Sequence, residues 1–280
     1  MRCLVFILLL LFWAHGVCAQ IVDDSDDRVE QEDSMKLLTI KPIRRPKKLV
    51  KQIMERLQDD LKQKHGTRKY EIKAMLCIDT FPSFSASCIC QVCGDNGLEI
   101  IDVTKDISDI KIENFCFKGQ YGLTDQDSVN IKCILVDLLN FSPIRSGRHS
   151  FYACPYPYSP IGALDEAKRW FNVKAYKIIY GSDDGIYRID FIKNKNTRFR
   201  YGDKVSWFGD YSFTAFFDCR TLRITRYKGE SLDWDKTLPL YSSDFQVDYE
   251  VDNGAPTLNQ LKYVGTFNNI KGNALVRRIE

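Results

Sequence analysis

The chain has 280 residues, with 40 Lys and Arg against 37 Asp and Glu and a formal charge of +3. So even a balance removes net charge as a reason to expect nucleic acid or an acidic membrane as partner. A chain of this length holds one large domain or two smaller ones, each able to bury a core without help from metals.

Met1-Arg2, an apolar run from Leu4 to Trp13 and the small residues before Ala19 form a signal-peptide pattern, with cleavage expected after Ala19. About twenty apolar residues are needed to span a bilayer, and every later apolar run is broken by charge well before that. The expectation is a soluble protein, secreted and extracellular, without stable membrane insertion.

Of the 10 cysteines, export removes Cys3 and Cys18 and leaves Cys77, Cys88, Cys90, Cys93, Cys116, Cys133, Cys154 and Cys219. An even set in an exported chain points to disulfides throughout, although spacing alone leaves the connectivity open. Parity pairs Cys154 with Cys219 if the other six pair among themselves. Cys88 and Cys90 share one face of a strand and are expected to bridge to different neighbouring segments.

Residues 20–46 run from Asp23-Asp24-Ser25-Asp26-Asp27 to Arg44-Arg45-Pro46 with few large apolar side chains. Such a segment does not repay the entropy of ordering and is expected to be a flexible charged leader. Between Lys47 and Lys64, the residues Leu49, Val50, Ile53, Met54, Leu57 and Leu61 recur at helical spacing, with Pro46 at the first turn and Gly66 as a stop. Strand-like runs follow at Tyr70–Ile78, Ser85–Val92, Leu98–Val103 and Ile110–Phe117. In Val129–Val136, alternation of Val129, Ile131, Cys133 and Leu135 with other residues favours a strand over a helix.

The prolines of Phe151–Pro160 remove backbone donors and predict a linker. Beyond it the pattern is almost wholly strand, at Val173–Tyr180, Gly185–Ile192, Thr197–Tyr201, Tyr211–Phe217, Thr221–Tyr227, Phe245–Val251 and Leu261–Phe267. The fold class expected is α+β, mostly antiparallel β. It comprises a cystine-rich helix-plus-strands domain over 47–157, followed by an aromatic all-β sandwich, barrel or prism-like domain over 158–280.

Chemistry-bearing motifs are sparse. After export only His65 and His149 remain for acid-base work near neutrality, and His149 sits in a polar basic loop. Cys88-Ile89-Cys90-Gln91-Val92-Cys93 could be read as zinc or redox thiols, but export and the following Gly94-Asp95-Asn96-Gly97 turn favour structural bridges. The carboxylates Asp183, Asp184, Asp190, Asp203 and Asp210 leave a paired-carboxylate hydrolase open without selecting two of them.

Around Gln91-Val92-Cys93-Gly94, a helix followed by a hairpin faintly resembles a cystatin, without that family's Gln-x-Val-x-Gly spacing. The run Tyr176–Phe191, with Gly185-Ile186-Tyr187-Arg188-Ile189-Asp190-Phe191, is similar to one strand pair of jacalin-type lectins but lacks their Gly-Asp sugar loop. Neither resemblance transfers a function.

The expected role is a disulfide-bonded extracellular binding or effector protein with a protein or glycan ligand and no cofactor, metal or nucleic acid. Aromatic side chains able to contact that ligand are Tyr156, Tyr158, Trp207 and Trp234. A lectin-like protein is the first alternative and a secreted carboxylate hydrolase the second.

Overall fold

The computed structural model describes residues 38–78, 81–94, 97–98, 110–118, 124–140, 171–180, 185–193, 200–201, 204–205, 211–231, 241–267 and 270–280. The expected signal peptide, most of the expected leader and the Pro-rich segment fall outside them. In chain order come β1 (Leu38–Pro42), α1 (Pro46–Asp60), β2 (Arg68–Ile78), β3 (Phe81–Val92), β4 (Lys111–Lys118) and α2 (Asp125–Asp137). They are followed by β5 (Phe171–Tyr180), β6 (Ile186–Lys193), β7 (Arg200–Tyr201), β8 (Lys204–Val205) and β9 (Tyr211–Asp218). The chain closes with β10 (Ile224–Ser231), β11 (Tyr241–Asp252), β12 (Ala255–Phe267) and β13 (Ile270–Ile279).

Pro46 opens α1 at a position that needs no N–H. Leu49, Val50, Ile53 and Leu57 form its buried stripe, while Lys51 and Glu55 stay in solvent. The helix stops at Asp60, short of Lys64. Asp60 is itself buried and lies 3.0 Å from Arg56 and 3.5 Å from Arg223, which ties the helix end to the approach to β10. Burial raises the Asp60 pKa, opposed by the charges of Arg56 and Arg223.

Residues 125–137 are helical, where alternation favoured a strand. Thr124 decides this with a capping box: its hydroxyl accepts from the Asp127 N–H at 3.2 Å, and the Asp127 carboxylate accepts from the Thr124 N–H at 3.0 Å. Ile131, Ile134, Leu135 and Val136 are then buried, and α2 lies against β3.

One eleven-stranded sheet runs in the order β1-β5-β6-β9-β10-β11-β12-β13-β2-β3-β4, with β7 and β8 forming a separate pair. The strand pairings defined within it are antiparallel, and residues Thr39–Glu280 form one compact unit. This replaces the expected cystine-rich domain followed by a separate sandwich, barrel or prism. The cause is β13, which pairs with β12 on one side and with β2 on the other, so early and late strands belong to the same ladder.

Strand alternation sorts the two faces. Inward lie Tyr70, Ile72, Ala74 and Leu76 of β2 and Phe84, Ala86, Cys88, Cys90 and Val92 of β3. Phe171, Phe213, Tyr227 and Phe245 continue this core, with Phe213 stacked on Tyr227 at 6.0 Å between ring centroids. Gly229 lies opposite Phe245, and a Cβ there would come within 2.3 Å of its ring, so glycine makes room for the aromatic. Outward lie ion pairs such as Lys111 with Glu113 at 2.6 Å and Arg226 with Asp248 at 2.5 Å. Exposed pairs of this kind contribute about 0–1 kcal/mol each, so the inner face dominates stability.

The disulfide framework is corrected. Among the described cysteines, Cys77, Cys88, Cys90, Cys93, Cys116, Cys133 and Cys219, no disulfide is formed, so these seven do not make the framework that cysteine parity suggested. The fold disperses the sulfurs: Cys116 is exposed on β4, Cys93 is exposed past β3, Cys133 is on α2 and Cys219 is in the turn after β9. Cys88 and Cys90 sit 3.7 Å apart, sulfur to sulfur. Two strand residues on one face have Cα atoms about 6.7 Å apart, at the upper limit for a disulfide, which explains why this pair stays reduced. Cys154, and with it the expected bridge to Cys219, lies outside the described residues.

Replacing Asp60 by Ala leaves Arg56 and Arg223 without their shared carboxylate and should lower unfolding stability by about 3 kcal/mol. Urea denaturation checks this. An unchanged midpoint would show that the helix is held by its apolar stripe alone.

Candidate functional site

At the start of β2 the inward register carries a charge: Arg68 precedes Tyr70, Ile72, Ala74 and Leu76 on one strand face, and both Arg68 and Tyr70 are buried. The hairpin between β11 and β12 is closed by Asn253 and Gly254, both at positive φ, and this brings Thr257 over the start of β2. Arg68 Nη1 donates to Thr257 Oγ1 at 2.7 Å. Arg278, opposite Tyr70 on β13, donates from Nη2 to Asp252 Oδ2 at 2.6 Å.

His65 completes the cluster from the segment between α1 and β2. It is 6 % exposed, and neither Nδ1 nor Nε2 has a hydrogen-bond partner; Tyr70 is 0 % exposed and its hydroxyl has none either. Gly97 packs against this group at φ +80°. A Cβ there would come 2.5 Å from the Pro256 carbonyl oxygen, 2.9 Å from Thr257 Oγ1 and 3.1 Å from His65 Nε2. The Gly97 carbonyl accepts from the Leu258 N–H at 3.1 Å, fixing it over β12.

Burial, reinforced by the charge of Arg68, holds the His65 pKa below its usual 6.5, while Asp252 pulls the other way. Burial pushes Tyr70 up to about 12. At neutral pH the site therefore holds a neutral imidazole, with one donor and one acceptor nitrogen, and a protonated phenol, both acted on by the charges of Arg68, Arg278 and Asp252. That is an arrangement for holding a polar group.

The expected ligand aromatics Tyr156, Tyr158, Trp207 and Trp234 lie outside the described residues, as do His149, Asp183, Asp184, Asp203 and Asp210. Asp190 is buried on β6, accepting from Arg188 Nε at 2.7 Å and Thr214 Oγ1 at 3.2 Å. Among the described residues, no group of three or more His, Cys, Asp and Glu is placed to hold a metal ion. None of their helices is long and apolar enough to cross a membrane. Sequence reasoning noted His65 but passed over its setting. The available signal was Arg68, a cation in the apolar phase of a strand.

No family model matches the chain, and no curated protein does. Among solved structures, a LolA superfamily protein from Nitrosomonas europaea aligns with 82 % of this chain and 91 % of its own, at 9 % identity and a TM-score of 0.29. A superposition that loose transfers neither fold nor function.

The two shifts set opposite pH arms. As pH falls below 6.5, the unfolded chain takes up a proton that folded His65 resists, so stability falls with acidification. As pH rises from 10 towards 12, the unfolded chain loses a phenolic proton that folded Tyr70 retains, so stability falls again. Thermal melts across pH should show both arms, the acid arm flattened in His65→Gln and the alkaline arm reduced in Tyr70→Phe. Tyr249, whose pKa burial also raises, keeps part of the alkaline arm in the latter.

Proposed function

We propose that this chain is a binding protein without catalytic chemistry, that it works outside the cell, and that a protein or glycan partner is recognised at the cluster of His65 and Tyr70. One observation carries the reading: two buried side chains with three polar atoms lacking hydrogen-bond partners, close to one another's charged neighbours. Each such atom costs about 1–3 kcal/mol while unsatisfied, and a ligand group that satisfies it recovers that cost on binding.

The donors and acceptors define the ligand chemistry. A neutral imidazole and a phenol suit a hydroxyl or an amide, groups shared by sugars and peptides. The segment carrying His65 is exposed on both sides, at Lys64 and Gly66, and the hairpin tip at Asn253 and Gly254 is also exposed. A ligand therefore has rim residues to meet on its way to the buried atoms. Export is supported by the charge and hydropathy pattern of Met1 to Ala19.

The test uses the purified full chain on a glycan array and on a panel of secreted proteins, with mass spectrometry of the bound ligand. The expected result is a ligand recovered unchanged, with about tenfold weaker binding in His65→Phe and in Tyr70→Phe. Wild-type affinity in both variants, or chemical turnover of the ligand, would overturn the reading. Array and panel separate glycan from protein.

A further inference from the structure

The triplet Asn114-Phe115-Cys116 lies on β4, which ends the sheet order and, among the described strands, pairs with β3 alone. Asn114 and Cys116 are exposed, while Phe115 between them is half-buried against the core with the Lys132 ammonium 5.0 Å over its ring. The ladder is irregular here. Ser87 faces Cys116 and Ile89 faces Glu113, so Asn114 and Phe115 together oppose Cys88, and Asn114 takes φ 52°. Asn is among the few L residues that enter this conformation readily, so the bulge by itself accounts for Asn114.

The bulge does not account for Cys116. That residue is an exposed thiol without a disulfide, in a chain read as exported, where such a group is open to oxidation and to bonding between molecules. A proton donor two positions after an exposed Asn is, however, what transfer of an oligosaccharide to asparagine requires. Ser and Thr supply it as a hydroxyl, and a reduced Cys supplies it as a thiol, the weaker donor. A cysteine held in a bridge has no such proton, and Cys116 is not in one. One other Asn in the sequence opens a triplet of this kind, Asn140-Phe141-Ser142, and the rigid Pro143 directly after it disfavours transfer there.

We infer that Asn114 is a site of N-linked glycosylation. This assignment rests on the reading that the chain is exported, and it is independent of the His65 cluster. The Asn114 Nδ2 attacks C1 of the first sugar of a lipid-diphosphate-linked oligosaccharide. The N–C1 bond forms, the C1–O bond to the diphosphate breaks, and the lipid diphosphate leaves with the electron pair. One amide proton passes to a base of the transferase, and nothing is oxidised or reduced. Transfer takes place on the extended chain, so the folded protein has only to accommodate the sugar. Exposure of Asn114 on the last strand of the sheet meets that need. A thiol in place of a hydroxyl makes occupancy partial.

The test expresses the full chain with its own leader in a eukaryotic secretory cell line and maps peptides of the secreted protein. Glycans are released by an amidase in heavy-oxygen water, which leaves a labelled Asp wherever a sugar was attached, and an aliquot without amidase corrects for spontaneous deamidation. Label at position 114 is expected in a fraction of the molecules, lost in Asn114→Gln and Cys116→Ala, raised several-fold in Cys116→Thr and unchanged in Asn140→Gln. Secreted wild-type chain without label at 114, or equal label in Cys116→Ala, would overturn the site. A chain that never reaches the medium counts against export instead. Translation of the full chain under a replaced leader into microsomes then decides the site without requiring the variants to fold: label at 114 supports it, and its absence refutes it.

Discussion

The pairing of β13 with β2 is the constraint on which the rest of this structure depends. Ile270 to Ile279 run against Ile78 to Lys69 in unbroken register, joining β2, β3 and β4 to a ladder otherwise built from β1, β5, β6 and β9 to β12. The same register sets Arg278 opposite Tyr70 and within 2.6 Å of Asp252, so the polar cluster is assembled from both halves of the sheet. Val276 opposite Ile72 and Ala274 opposite Ala74 continue the apolar face across the junction. Without this ladder the inward face would split and the cluster would lose one of its walls.

Local structure was readable where side-chain period speaks directly. The stripe of Leu49, Val50, Ile53 and Leu57 fixes the buried face of α1, and alternation places β2, β3, β9 and β11 to within a few residues. It misled at α2, because apolar residues there occupy both phases; the informative signal was Thr124 with Asp127, outside the apolar run. β13 escaped notice because Gly272 and Asn273 dilute its pattern and Arg277 and Arg278 end it with charge. Neighbours in the sheet are set by contacts between residues far apart in sequence, which no local period encodes.

The cysteines teach a different lesson. Their even number after export suggested bridges, but parity says nothing about where the backbone aims the sulfurs. Alternation did foretell that Cys88 and Cys90 share a face, and that shared face is what brings their thiols together while leaving the Cα atoms too far apart for an easy bond. Of the candidate site, the charge of Arg68 in an apolar phase was visible in the sequence. The loneliness of the His65 nitrogens and the Tyr70 hydroxyl was not, since it depends on what β12 and Gly97 bring over them.

The position of β13 also governs when the molecule can acquire its shape. Synthesis delivers β2 some two hundred residues before its partner, and until then the β2 edge that will receive β13 has nothing to pair with. Closing so large a separation is slow, because the entropy of the intervening loop is lost before the ladder rewards it. The nascent chain therefore lacks this ladder for most of its production, a state vulnerable to association through the waiting strand. The final fold is reached only after the last strand has emerged, so vectorial synthesis and folding are separated in time by the topology itself.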